Sequence, residues 1–309
     1  MISTIFSKSS PFNYVLITAL LIVCFFMLQL QDSSWTGSAI SILCKTGMLA
    51  LLIASLFITN FVTKRNGLTR DNTFPFLFFF SFLILFPTTL NNPTLIISNF
   101  FILLALRRLI SLQSLLAPKE KIFDASLWIF IATLFHFWSI LFIALVFISV
   151  MLHVSRDYRN WILPYIALVT VAVIFVLVAL VFEKSLLTDF MEKTTVDFRF
   201  DYFTNKYQNI ALSIYAALAV LFSVSQLFAL SGKPLNLHAS YKKVFVSFVI
   251  GAAIYIISPE KNNSILIYTF MPLAVMATGY IESVQVHWIK ESTTLLILGL
   301  CVLSFVLQL

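Results

Sequence analysis

The chain has 309 residues, of which 60% are hydrophobic and 11% charged, and its mean hydropathy is +0.99. A water-soluble domain carries about 25% charged residues, so that class is excluded. The net charge of +7 comes from basic residues paired beside apolar blocks, which is a positive-inside pattern and not a nucleic-acid footprint.

The apolar blocks reach the roughly 17–25 residues that a membrane-crossing helix needs, and the short alternating segments of a β-barrel are missing. Cys24, Cys44 and Cys301 are scattered with no CxxC pair, which argues against a zinc site or a disulfide framework. Neither GxGxxG nor GxxxxGK[ST] occurs, so no cofactor and no metal is expected.

Lys8 precedes a first apolar block, Tyr14–Leu30, followed by QDSSW and not by a small-residue cleavage site. It therefore reads as an uncleaved span. Asp32–Gly37 is a turn without basic residues, suited to the outer side. The second block, Ser38–Val62, contains Lys45. A charge inside a span costs about 2.5–3.5 kcal/mol, so two readings stand. In the first, Asp32–Lys45 is an interfacial helix capped by Asp32 and the span starts near Thr46. In the second, Lys45 faces a cavity and binds an anionic group.

Lys64, Arg65 and Arg70 put Thr63–Thr73 on the inner side. Phe74–Leu90 is the third span, with Pro75 in its first turn. Asn91-Asn92-Pro93 is an uncharged outer turn. Thr94–Leu106 is closed by Arg107-Arg108, and Leu109–Lys121 reads as an amphipathic piece along the inner surface.

Ala125–Leu152 decides the topology, because it is 28 residues without a charge. As one helix it would be about 42 Å long against a hydrocarbon core of about 30 Å. A hairpin turning at His136-Phe137-Trp138-Ser139 is expected instead, since Trp and His favour the membrane interface. Trp161–Phe182, Ile210–Ala229, Val244–Ile257, Ile265–Tyr280 and Thr293–Leu309 complete the chain. Lys233, Lys242 and Lys243 mark another inner loop.

The expectation is an all-α, polytopic transmembrane helical bundle of about eleven spans in a single domain, residues 1–309. Lys64, Arg65, Arg107, Arg108, Lys242 and Lys243 set its orientation, with the N-terminus cytoplasmic.

Glu183–Asn209 is the long hydrophilic run, expected on the outer side as an amphipathic surface segment. Leu186, Leu187, Phe190 and Met191 recur at helical spacing, while Val196–Tyr202 alternates at the period of a strand and also fits a helix. Phe190, Phe198, Arg199, Phe200 and Asp201 form a candidate docking surface for a partner. Asp32, His136 and Glu183 are the candidate catalytic groups on that side, near Asn91, Asn92, Asp189, Glu192 and Asp197.

Carboxylates with a histidine can serve as acid and base or hold a divalent cation, but this spacing is diagnostic of neither. Solvated loop acids, and a polar plug at a helix end for His136, are the plainer readings. Ser247-x-x-x-Gly251 with Ala252 and Ala253 is a small-residue face for close helix packing.

The stretch Asn91–Tyr165 resembles an uncharacterised family of polytopic inner-membrane proteins of Bacteroidota. The features are Arg107-Arg108, the Ile122-Phe123-Asp124-Ala125 lead-in to the hairpin, and Arg159-Asn160-Trp161 before the next span. That family often has proline or tyrosine at the hairpin tip, where this chain has His136-Phe137-Trp138. The resemblance implies the hairpin and a diderm cell envelope, and no reaction.

A weaker likeness to polyprenyl-phosphate-dependent membrane glycosyltransferases rests on many spans, arginines closing a helix, and Asp32 in the first outer loop. Those enzymes have a much longer first outer loop with helices of its own. The first functional expectation is a non-catalytic or assembly subunit of an envelope complex, with the lipid bilayer and a protein as partners. The second is a membrane-embedded enzyme acting on a lipid-linked glycan, with Asp32 and the outer acids as base or metal ligands. A transporter is third, because few charges lie mid-span and no broken-helix pair repeats.

Overall fold

The computed structural model describes residues 2–31, 33–182, 185–198, 205–259 and 261–309. The roles given to Asp32, Glu183, Arg199, Phe200 and Asp201 therefore lie outside the described residues. Among those described there are helices and no strand.

The first half of the chain holds α1 (Ile2–Phe6), α2 (Pro11–Gln29), α3 (Ala39–Arg65), α4 (Phe74–Leu85), α5 (Pro93–Ile110), α6 (Pro118–Phe135) and α7 (Ile143–His153). The second half holds α8 (Arg159–Val181), α9 (Ser185–Glu192), α10 (Lys206–Ala229), α11 (Leu235–Ile257), α12 (Ile267–Ser283) and α13 (His287–Gln308). Among them, α2, α3, α5, α8, α10, α11, α13, and α12 together with the turn before it (Asn263–Ser283), are the eight long and apolar enough to cross a membrane. Phe74–Leu85 and Phe137–His153 are apolar but shorter.

Contacts between loops sort the helix termini into two ends. At one end, Asn13 at the start of α2 donates to Thr73 Oγ1 before α4 (3.2 Å), and Lys64 at the end of α3 pairs with Asp71 (2.7 Å). This basic end also holds Arg107 and Arg108 at the close of α5. At the other end, Gln29 Nε2 donates to Asn91 Oδ1 (2.7 Å), and Gln308 at the end of α13 donates to the Leu85 carbonyl (3.1 Å). His136 lies here, and we call this the histidine end.

Ala125–Leu152 is two antiparallel helices. The backbone turns extended at His136 (φ −138°, ψ 107°), a 3-10 turn Phe137–Phe142 follows, and α7 returns. Lys119, at the start of α6, pairs with Asp157, just past α7, at 3.0 Å. Both legs therefore have their far ends at the basic end. His136 breaks the helix after the Ala132 carbonyl takes its N–H (3.1 Å).

The centre of the bundle is α4 packed on α12. Every residue of α4 is buried, and so are nearly all of α12, as expected for helices apolar all round. Phe82, Phe86, Tyr215 and Phe270 form one aromatic cluster with centroid separations of 5.3–6.4 Å. The opposite case is α8, which leans on α6 and turns Ile162, Tyr165, Val169 and Val173 outward. A helix apolar on its outward face over that length is compatible with a membrane span.

Three local expectations change. Ala39–Arg65 is one 27-residue helix with Ser38 at its N-cap position, so no separate interfacial helix ends at Lys45. Leu109–Lys121 is not a surface helix. The chain leaves α5 at Ile110, makes a 3-10 turn, passes Leu115 and Ala117 at positive φ, and restarts at Pro118, whose ring cannot continue a preceding helix. Val196–Phe198 has no strand partner among the described residues, because the edge it meets is the end of a helix.

Candidate functional site: a cleft at the histidine end

The hairpin tip and the hydrophilic segment build the site together. Helix α9 lies back over the tip, with the Phe190 ring 5.6 Å from Phe137 and 5.3 Å from Phe175 of α8. Beyond it, Trp138 Nε1 donates to the Thr195 carbonyl at 3.2 Å. The Asp197 N–H then donates to the Ile257 carbonyl at the end of α11 (3.3 Å), and Lys261 Nζ donates to the Asp197 carbonyl. These bonds lay residues 185–198 across the end of the bundle and leave a half-open cleft of about 650 Å³.

Its lining mixes apolar side chains, Leu95, Phe135, Phe137, Trp138 and Ile265, with polar ones, Asn92, His136, Glu192, Lys193, Ser258 and Asn262. Several of these groups already hold the fold. The Asn92 side chain caps α5 by accepting from Leu95 N (3.3 Å), and Asn262 accepts from Ser264 N (3.3 Å). Glu192 and Lys193, where α9 ends, are exposed.

His136 Nε2 lies 3.4 Å from Ser258 Oγ, and its ring leans on Tyr268 with centroids 5.7 Å apart. Tyr268 is buried and donates to Ser98 Oγ (2.8 Å), which donates to the Ala132 carbonyl (3.1 Å). Burial, and then the nearby Lys193 ammonium, push the His136 imidazole down to about 4. It is neutral at physiological pH and acts as a hydrogen-bonding group.

Comparison with protein-family models, curated proteins and solved structures gives no match.

Of the candidate residues from sequence, the structure places His136 in the cleft and Phe190 beneath it, packed on the chain's own rings. Phe198 is exposed beyond the cleft. Lys45 stands at the same end with its Nζ 3.1 Å from Asn91 Oδ1, next to the cleft residue Asn92 but not in the wall. The basic residues Lys64, Arg65, Arg107, Arg108, Lys242 and Lys243 all lie at the opposite end.

Arg108 pairs with Asp124 (2.7 Å), while Arg65 and Arg107 sit over the Phe61 ring (5.4 and 5.0 Å). Sequence reasoning did not find Lys193, Ser258 or Asn262. The signal for the last two was the turn Ser258–Ser264 facing the hairpin tip, which only the topology brings together. Among the described residues no three His, Cys, Asp or Glu side chains gather as a metal site.

Proposed function

We propose that this is an integral protein of a bacterial cytoplasmic membrane, crossing it with α2 to α8 and α10 to α13. The basic end and the N-terminus face the cytoplasm. Fourteen lysines and arginines lie at the basic end, against Lys45, Lys193, Lys206 and Lys261 among the described residues of the other. That asymmetry supports the orientation. Cysteine labelling at Thr195 and Lys242 tests it, and Thr195 reached only from the cytoplasm overturns it.

On this reading the cleft opens at the outer surface, and its role is docking: the protein is a non-catalytic subunit of a cell-envelope complex. The observation that carries this is the exposed Glu192 and Lys193 set beside Trp138 in the cleft lining. Glu192 and Lys193 supply charge for a protein partner, and Trp138 supplies apolar contact.

The test is a photo-crosslinking side chain at Thr195, followed by purification in mild detergent. A stoichiometric crosslinked partner, lost in Glu192→Lys and Lys193→Glu, is the expected result. A second reading draws on the same cleft, whose aromatic and hydrogen-bonding lining suits the headgroup of a lipid-linked glycan. Loss of a membrane glycan in His136→Ala, with protein level unchanged and no partner captured, replaces docking with that enzyme.

A further inference from the structure

At the basic end, the start of α6, the end of α7 and the start of α8 surround a second pocket of about 350 Å³. Its rim carries Lys119, Arg156 and Asp157. Asp157 is engaged locally: it accepts from the Arg159 N–H (3.0 Å) and pairs with Lys119 (3.0 Å). Arg156 is exposed and makes no ion pair with a described residue. Counting Arg159 beside it, the rim is net positive.

Deeper in the wall, Asn160 is only 2% exposed, and its Nδ2 donates to the Val154 carbonyl (2.9 Å). Its Oδ1 finds no protein partner. The remaining side of the pocket is Met151 and Leu152, both apolar and exposed.

Trp161 marks the level of the membrane surface beside it, donating Nε1 to the Ser155 carbonyl (3.2 Å) and stacking on Phe147. A positive rim beside an apolar lip offers what a phospholipid's phosphate and acyl chains need. We infer that this pocket holds the headgroup of an anionic phospholipid, its phosphate against Arg156 and Lys119. The acyl chains run over Met151 and Leu152 and along the outward face of α8. Basic pockets between membrane helices are known to take such headgroups. The inference rests on membrane location alone and not on what the cleft binds.

The test uses the full chain in mild detergent, titrated with phosphatidylglycerol, phosphatidylcholine or inorganic phosphate, with thermal stability and native mass spectrometry as readouts. Phosphatidylglycerol is expected to stay bound and to stabilise most. Arg156→Gln should weaken it about fivefold, the effect of one basic group at a membrane surface. Arg70→Gln, at the same end but on the α3–α4 loop, should leave it unchanged. Met151→Glu, which places a like charge at the lip, should weaken it as well. Equal stabilisation by phosphatidylcholine, or unchanged affinity in both Arg156→Gln and Met151→Glu, overturns the site. Inorganic phosphate matching phosphatidylglycerol makes it a soluble-anion site and overturns the lipid.

Discussion

Lys243, with no solvent exposure, holds its Nζ 2.5 Å from the Leu109 carbonyl and 3.5 Å from that of Ile110. Those carbonyls belong to the last turn of α5, where the helix leaves acceptors without internal partners. An Nζ donor there meets the acceptors that the helix leaves free. Lys243→Met should destabilise the protein by about 1–3 kcal/mol, the range for leaving a buried acceptor without its partner. The exposed neighbour Lys242→Met should change it by less than about 0.5 kcal/mol. Thermal unfolding of the two purified variants decides; equal melting removes the capping role.

Gly251 sits where α11 crosses α12. A Cβ added there would lie 2.7 Å from Thr269 Cγ2, 3.2 Å from the Tyr268 backbone carbon and 3.3 Å from Thr269 N. Thr269 cannot turn aside freely, since its Oγ1 contacts the Tyr215 hydroxyl (2.5 Å) and donates to the Leu266 carbonyl (2.5 Å). Gly251→Ala should therefore cost about 1–3 kcal/mol, the usual range for overpacking. Adding Thr269→Ser, which removes Cγ2, should restore part of it. Gly299→Ala on α13, with open space around it, should be neutral or mildly stabilising. The melting temperatures of the three variants give the comparison.

These two sites show what was legible in sequence and what was not. The small-residue face at Ser247 and Gly251 was readable because a helical period puts both on one side. The turn at His136 was readable because 28 uncharged residues exceed one membrane crossing. Lys242 and Lys243 were indistinguishable by charge counting, yet a step of about 100° around the helix leaves one exposed and buries the other.

Hydropathy also treats α4 and α8 alike, although one is wholly inside and the other faces outward. Lipid and protein interior are equally apolar, so composition carries no sign of which surrounds a helix. The cleft was hidden for a different reason. Asn92, His136, Lys193 and Asn262 come from four separate loops, and no spacing along the chain links them.

Trp138 is the clasp between the hairpin tip and the segment after α9, through its bond to the Thr195 carbonyl. Trp138→Phe keeps the aromatic body and removes only the donor. Protease cleavage between residues 193 and 198 should then become several-fold faster, in line with a net hydrogen-bond contribution of about 1 kcal/mol. Cleavage elsewhere should stay unchanged. Limited proteolysis of protein in vesicles, with fragments mapped by mass spectrometry, measures both. Unaltered cleavage at that segment rejects the clasp.

His136 should also make stability depend on pH. Its folded value, about 4, lies below the ordinary 6.5 of an unfolded chain, because burial and Lys193 oppose the imidazolium. Between these values the unfolded chain takes up a proton that the folded one refuses, so acid favours unfolding. The stabilising contribution is complete above pH 6.5, falls as pH drops, and is lost below pH 4. The difference between the two values corresponds to on the order of 3 kcal/mol. His136→Gln cannot titrate, so the difference between native and variant stability should shrink on that side across the window. Asp71 and Asp157 do not confuse the comparison: the Lys64 partner of one, and the Arg159 N–H and Lys119 partners of the other, hold both carboxyls below their usual range. Their contributions are lost only at lower pH. Thermal unfolding from pH 7.5 to 4 for both proteins gives the test, and parallel curves show that His136 is not the titrating group.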